Sequence, residues 1–284
     1  MSDYSIVIPA YNAEDFISQT IISAWEVGPL EVIVVDDGSE DGTAEVAARL
    51  NCRVIRQTNQ GAACARRAGL ALVDTSLVTL LDADDRLISN GTNESLRIAR
   101  DLLRTHQDFA CIIGATIAGG KTMPIWSDGV TARGLLDRGR PPGPPAAFVW
   151  HTKNLVAALT RDPAPLAPSY AEDYELTLRG INTLPTINHS SPSCEYTMDS
   201  GKSARNAKAS IDASEIIRRH YAAQWFMPIR LRSPAEIKML ARIRTNLSTR
   251  NNKTNRLRIF WYCAAALMSD PVNLTRMIYH RIRR

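Results

Sequence analysis

The chain has 284 residues, 45% hydrophobic and 22% charged, a balance ordinary for a soluble globular protein that can bury a sizeable core as one large domain with an appendage, or as two small domains. The formal net charge of +5 conceals an asymmetry: residues 230–284 hold 13 Lys/Arg against 2 Asp/Glu, so the part before them is acidic. Five scattered cysteines form no CxxC pair or Cys/His cluster, which argues against a structural zinc site or a disulfide framework and suits a reducing compartment.

In chain order, Ser2-Asp3 leads directly into a first strand with no secretory leader expected. Short apolar runs over Ser5–Ile8, Val32–Val35, Arg53–Ile55, Leu77–Leu81 and Phe109–Ile113 predict strands. Between them, Ala13–Trp25, Asp41–Leu50, Ala62–Val73 and Thr92–Thr105 predict helices. Strands alternating with helices indicate βαβ units and a mostly parallel α/β sheet, and their continuous apolarity fits burial on both faces. The Pro141–Pro145 stretch cannot be a helix or a central strand. A strand and helix over Ala147–Leu159, a second Pro-rich loop, and a helix from Glu172 to Arg179 follow. Thr183–Ser203 reads as a polar loop or short strands, and from about Ala209 the pattern turns helical. Ser233-Pro234-Ala235-Glu236 predicts a helix start, with an N-cap serine, proline at the first position and a capping-box glutamate. The longest apolar run near the end, Ile259–Met268, is far short of the ~20 residues that cross a bilayer.

The acids stand where the strands end. Asp36-Asp37-Gly38-Ser39 closes the second strand and Asp82-Ala83-Asp84-Asp85 the fourth. In an open α/β sheet ligands bind beyond the carboxyl ends of the strands, so these clusters are expected to share a crevice. Carboxylates gathered there repel one another unless a cation or ligand neutralises them, and their oxygens suit Mg²⁺ or Mn²⁺ held together with substrate phosphates. Strand-end aspartates also cap helices and form turns, and Asp-x-Asp alone is a short, frequent pattern.

Four stretches in this order resemble the family-2 glycosyltransferases of GT-A fold. They are Tyr4–Asn12, Val34–Ser39, Asn59-Gln60-Gly61 with Ala65, Arg66 and Gly69, and Leu80–Asp85. With Glu172-Asp173 the resemblance covers roughly residues 4–180. It implies a Rossmann-like GT-A domain over 1–208, followed by a basic helical segment over 209–284. It implies an inverting, metal-dependent transferase that moves a sugar from a nucleoside-diphosphate sugar to a saccharide or lipid-linked acceptor, in cell-surface polysaccharide synthesis. On that resemblance Pro9, Tyr11, Asp36, Asp37, Arg66 and Asp82 hold the nucleotide sugar. Asp84, with Asp82, holds Mn²⁺ or Mg²⁺. Asp173 is the base that takes the acceptor's proton, as a single displacement requires, with Glu172 beside it. Arg67 departs from the family, which often has Asn there. Asp199 stands where many relatives place a metal-binding His after a Tyr, and an aspartate can bind the same hard cation.

The basic end, with Phe260, Trp261, Tyr262 and Tyr279, suits either an anionic membrane surface or a helical cap on the catalytic domain; no nucleic-acid motif stands out. The expected location is cytoplasmic, either free or peripheral on the inner face of the membrane. Two rival readings are a sugar-phosphate nucleotidyltransferase, disfavoured because the loop Pro9–Ala13 has no glycine, and a non-catalytic saccharide- or membrane-binding homologue, disfavoured by the intact acids.

Overall fold

The computed structural model describes residues 3–123, 125–126, 129–197 and 206–248. In chain order its elements are β1 (Tyr4–Ala10), α1 (Ile17–Trp25), β2 (Glu31–Asp36), α2 (Thr43–Arg49), β3 (Arg53–Arg56), α3 (Ala62–Leu70), β4 (Leu77–Leu80) and β5 (Arg86–Leu87). Then come α4 (Ser89–Arg104), β6 (Cys111–Ala118), β7 (Lys121–Met123), α5 (Ala132–Arg138), β8 (Phe148–His151), α6 (Thr152–Thr160), α7 (Glu172–Gly180), β9 (Thr186–Tyr196), α8 (Ala207–Gln224) and α9 (Pro234–Ser248).

The strands form one sheet in the order β3-β2-β1-β4-β8-β6-β9-β5, with β7 hydrogen-bonded to β6. The half built from β3, β2, β1 and β4 is parallel, as the alternating pattern predicts. The other half is mixed. β8 runs antiparallel to both β4 and β6, β6 and β9 are parallel, and β5 and β7 pair antiparallel with β9 and β6. The sheet is therefore a mixed α/β sheet flanked by helices, less parallel than the sequence pattern suggests. Thr183–Ser203 holds an eleven-residue strand, β9, where the sequence reads as a polar loop or short strands. Its pairing with β6 shifts register around Pro192, because proline has no N–H to give to a ladder.

β1, β4 and nearly all of β2 are buried, which is why they read as continuous apolar runs. The carboxyl ends of β1 and β2 stand level, while β4 ends opposite Val7. Ala10 pairs with Asp36, Asp37 N–H donates to the Ala10 carbonyl at 2.8 Å, and Leu81 N–H to that of Val7 at 2.9 Å. α3 crosses β1 and β2 at Gly69, where an added Cβ would stand 2.3 Å from Val7 Cγ1. At the far end α8 contributes Ala213, Ile217 and Tyr221 to the same apolar cluster as β1 and β4, although it opens at the division expected near residue 208. Ser233 and Glu236 form the capping box expected at the start of α9, with N–H to side-chain bonds of 2.6 and 3.2 Å. No helix among the described residues is long and apolar enough to cross a membrane.

Candidate active site

The loops after β1 and β2 are laced together. Asn12 takes a left-handed φ of 48°, its N–H donates to Ser39 Oγ at 3.0 Å, and its side-chain oxygen accepts the Glu40 N–H at 2.9 Å. Pro9 is buried at the end of β1, while Tyr11 is half exposed above it. Asp36 is wholly buried; it accepts the Ser39 N–H at 3.0 Å and pairs with Arg56 Nε at 3.0 Å.

Asp37, also buried, holds a loop. Its Oδ1 accepts from Gln57 Nε2 at 2.7 Å and Gln60 N–H at 2.9 Å, and its Oδ2 from Gly61 N–H at 2.7 Å. Gly38 permits this closeness. It takes a φ of +80°, and a Cβ there would come within 3.0 Å of the Asn59 nitrogen. Gln57 is absent from the sequence-derived site. Nothing in its local pattern distinguishes it, since the contact spans twenty residues of chain.

The centre of the site is Arg66, only 4% exposed. Its Nη2 donates to Asp82 Oδ1 at 2.5 Å, while Nε and Nη1 have no hydrogen-bond partner. Burial works against its charge, but the carboxylates of Asp82, Glu172 and Asp173 outweigh burial and hold the guanidinium more firmly protonated than usual. Arg66 thus joins the turn after β4 to the first turn of α7. Burial pushes the Glu172 carboxyl above its ordinary range; Arg66 pulls it back and Asp173 pushes it up again.

The turn after β4 continues inward. Asp85 is wholly buried, and its Oδ1 accepts the Thr197 N–H at 2.9 Å. Burial, with the Asp82 charge adding to it, pushes this carboxyl well above its ordinary range. The Asp84 carbonyl accepts from Thr197 Oγ1 at 2.6 Å, and Asp84 is partly exposed. The chain after β9 therefore comes back to the Asp82–Asp85 turn. Asp199, two residues beyond Thr197, lies outside the described residues. His189 of β9 is hydrogen-bonded to Ser95 Oγ on α4, at 2.7 Å.

Of the sequence-derived residues, Asp82, Arg66, Glu172 and Asp173 form one electrostatic group, with Asp84 in the same turn as Asp82. Pro9, Asp36 and Asp37 stand at the level ends of β1 and β2, with Tyr11 just beyond. Among the described residues no three His, Cys, Asp or Glu side chains are set to hold a metal ion. A catalytic Mg²⁺ or Mn²⁺ asks for less from the protein, one or two carboxylates completed by substrate phosphates, and the hard oxygens of Asp82 and Asp84 fit that demand. The Asp82 charge adds to the burial that raises Asp85, and an added cation would offset that charge.

Residues 5–94 match the model of Glycosyl transferase family 2. The chain is 42% identical over 93 residues to the succinoglycan biosynthesis protein ExoU of Rhizobium meliloti, across 30% of this chain and 27% of that protein. It spans less than half the length of the first curated relatives it matches. Its fold resembles that of S. aureus TarS 1–349 in complex with UDP-GlcNAc, with a TM-score of 0.60 at 18% identity over 96% of this chain and 83% of that one. It also resembles glucosyl-3-phosphoglycerate synthase from Mycobacterium tuberculosis in complex with Mn²⁺, UDP and glucosyl-3-phosphoglycerate, with a TM-score of 0.50 at 21% identity over 76% and 79% of the chains.

Proposed function

We propose that this chain, whose residues 5–94 match the model of Glycosyl transferase family 2, transfers a sugar, with inversion, from a nucleoside-diphosphate sugar to a saccharide or lipid-linked acceptor in cell-surface polysaccharide synthesis. The observation that carries this reading is Arg66, buried, bonded to the Asp82 carboxylate and in the electrostatic field of Glu172 and Asp173 on α7. It draws donor-side and acceptor-side acids to one place. The uridine nucleotide in the TarS complex and the succinoglycan role in the ExoU name support the donor and acceptor classes.

On this reading Pro9, Tyr11, Asp36 and Asp37 form the nucleoside end of the crevice. Asp36 and Asp37 act chiefly by bracing the loops that surround it, since the observed bonds of both carboxylates are internal. Arg66 and Asp82 position the ribose and diphosphate. Asp173 takes the proton from the acceptor hydroxyl as that oxygen attacks the anomeric carbon and the nucleoside diphosphate leaves. Glu172 orients the acceptor. Asp84 and Asp82, with Asp199, would hold Mn²⁺ or Mg²⁺, which when bound supplies charge neutralisation to the leaving diphosphate. The basic stretch beyond residue 248, outside the described residues, is proposed to meet an anionic membrane surface on the cytoplasmic side.

The test is thermal stabilisation by UDP or GDP sugars with Mn²⁺. A ligand at a hundred times its Kd stabilises the folded state by about 2.7 kcal/mol, enough to move the melting temperature by several degrees. Asp84→Ala should lose this response. Asp173→Asn should keep it while losing release of the nucleoside diphosphate. A wild-type chain that responds to no nucleotide sugar would overturn the proposal.

A further inference from the structure

α7 carries Glu172 and Asp173 in its first turn, yet its own start is poorly secured. Its N-cap is Ala171, in a left-handed conformation with φ 58° and with no side-chain cap. Ala167, four residues earlier, is left-handed too. A non-glycine residue holds that conformation only when its surroundings impose it, so the restraint must come from elsewhere.

It comes from the next turn of the helix. Glu175, one turn along, is 4% exposed and accepts the N–H groups of Leu166 and Ala167 at 2.7 and 3.1 Å. Tyr221 of α8, 0% exposed, donates its hydroxyl to Glu175 Oε1 at 2.5 Å. The same hydroxyl oxygen accepts from Arg179 Nη1 at 2.9 Å. Arg179 in turn donates to the carbonyls of Ala158, Leu159, Arg161 and Pro163. One phenol therefore joins both ends of α7 and the loop that leads into it.

We infer that Tyr221 is a positioning residue for the carboxylates of Glu172 and Asp173, so that α8 is part of the catalytic unit. The catalytic consequence rests on the proposed glycosyl transfer; the structural coupling does not. Tyr221 touches neither donor nor acceptor on this reading. It acts by fixing the entry to α7, and a displacement of about 1 Å at a reacting group can cost on the order of a hundredfold in rate.

The experiment compares the full chain with Tyr221→Phe, and with Glu175→Gln as a second variant. The first readout is amide hydrogen exchange. Losing the hydroxyl should speed exchange at Leu166, Ala167 and Glu175 by about fivefold, the weight of one net hydrogen bond, while Gln60 and Gly61, held by Asp37 on the donor side, stay unchanged. The second readout is UDP release from UDP-GlcNAc with Mn²⁺. Here kcat should fall by at least about fivefold with the donor KM unmoved, the pattern of an interaction that matters only in the transition state. Equal loosening at Gln60 and Gly61, or an unchanged kcat beside faster local exchange, would overturn the inference. So would failure of both variants to fold, which would make the network a clamp for the whole fold. A wild-type chain inert toward UDP-GlcNAc would count against the transfer reading for that donor, and the exchange pattern alone would then decide the role of Tyr221.

Discussion

Replacing Arg66 with methionine separates an ion pair that serves the fold from one that serves the site. Breaking a fully buried pair costs about 3–5 kcal/mol, because the remaining charge is stranded. Two features of this pair reduce that figure. Asp82 is 27% exposed, so water reaches the carboxylate left behind. Methionine also removes Nε and Nη1, which have no partner, and a buried unsatisfied donor costs on the order of 1–3 kcal/mol. The net loss of stability near pH 8 should then be only about 1–3 kcal/mol, and it should depend on pH. Glu172 is already raised above its ordinary 4.5 by burial, and Arg66 opposes that rise. A carboxyl raised in the folded chain keeps its proton while the unfolded chain loses it, so its contribution is present below the unfolded value and is lost as pH climbs. Without Arg66 the folded value climbs further and the loss extends to higher pH. Urea denaturation of wild type and Arg66→Met at pH 5 and pH 8 should show the deficit widening with pH, with nucleotide release abolished. A deficit equal at both pH values, or larger at pH 5, would mean that the α7 acids do not depend on the arginine's charge.

Two further outcomes test other parts of the structure. Gly69→Ala would push a methyl group to within 2.3 Å of Val7 Cγ1 and 3.1 Å of Val35 Cγ2; overpacking of about 1–3 kcal/mol, offset by up to about 1 kcal/mol of helix propensity, should lower the urea midpoint, and an unchanged or higher midpoint would refute the close approach of α3 to β1. Burial holds the His189 imidazole below its ordinary 6.5, so the unfolded chain takes up a proton first and wild-type stability should decline as pH falls from that value toward 5. His189→Gln should flatten this decline in denaturant midpoints taken at pH 5, 6 and 7.5, and an equally steep decline in the variant would place its origin elsewhere.

What the sequence reveals follows the range of the interactions. β1, β2 and β4 are central parallel strands whose burial on both faces leaves a local mark, the continuous apolar run, and the acids that follow them mark their carboxyl ends. β8 is equally apolar, but its antiparallel insertion between β4 and β6 is a choice between distant partners that no local pattern records. β9 alternates poorly because serines, an asparagine and Pro192 interrupt it, and β5, at two residues, is too short to show a period. The same limit governs the site. The acids of the Asp82–Asp85 turn and the Glu172-Asp173 pair are visible as motifs. Two groups that hold the site's supporting acids do not stand out: Gln57 on Asp37 and Tyr221 on Glu175 reach across 20 and 46 residues of chain.

The charge arrangement gives these observations a common consequence. Burial and the Asp82 charge raise the Asp85 carboxyl, which disfavours a full set of negative charges on the turn after β4. Arg66 is bonded to Asp82 but also lies in the field of Glu172 and Asp173. One cation therefore serves two groups of acids that approach from different elements. On the proposed reading, whatever neutralises Asp82 from the donor side removes a negative charge that raises the Glu172 carboxyl and leaves Arg66, which lowers it. The effect is reciprocal, because linkage between two sites works equally in both directions: a negative charge on Glu172 disfavours one on Asp82. The Asp82 turn and the first turn of α7 thus share a single buried cation. No movement of the sheet is needed, since both groups are already held in place, one at the end of β4 and the other by the bonds that Glu175 and Tyr221 make behind α7.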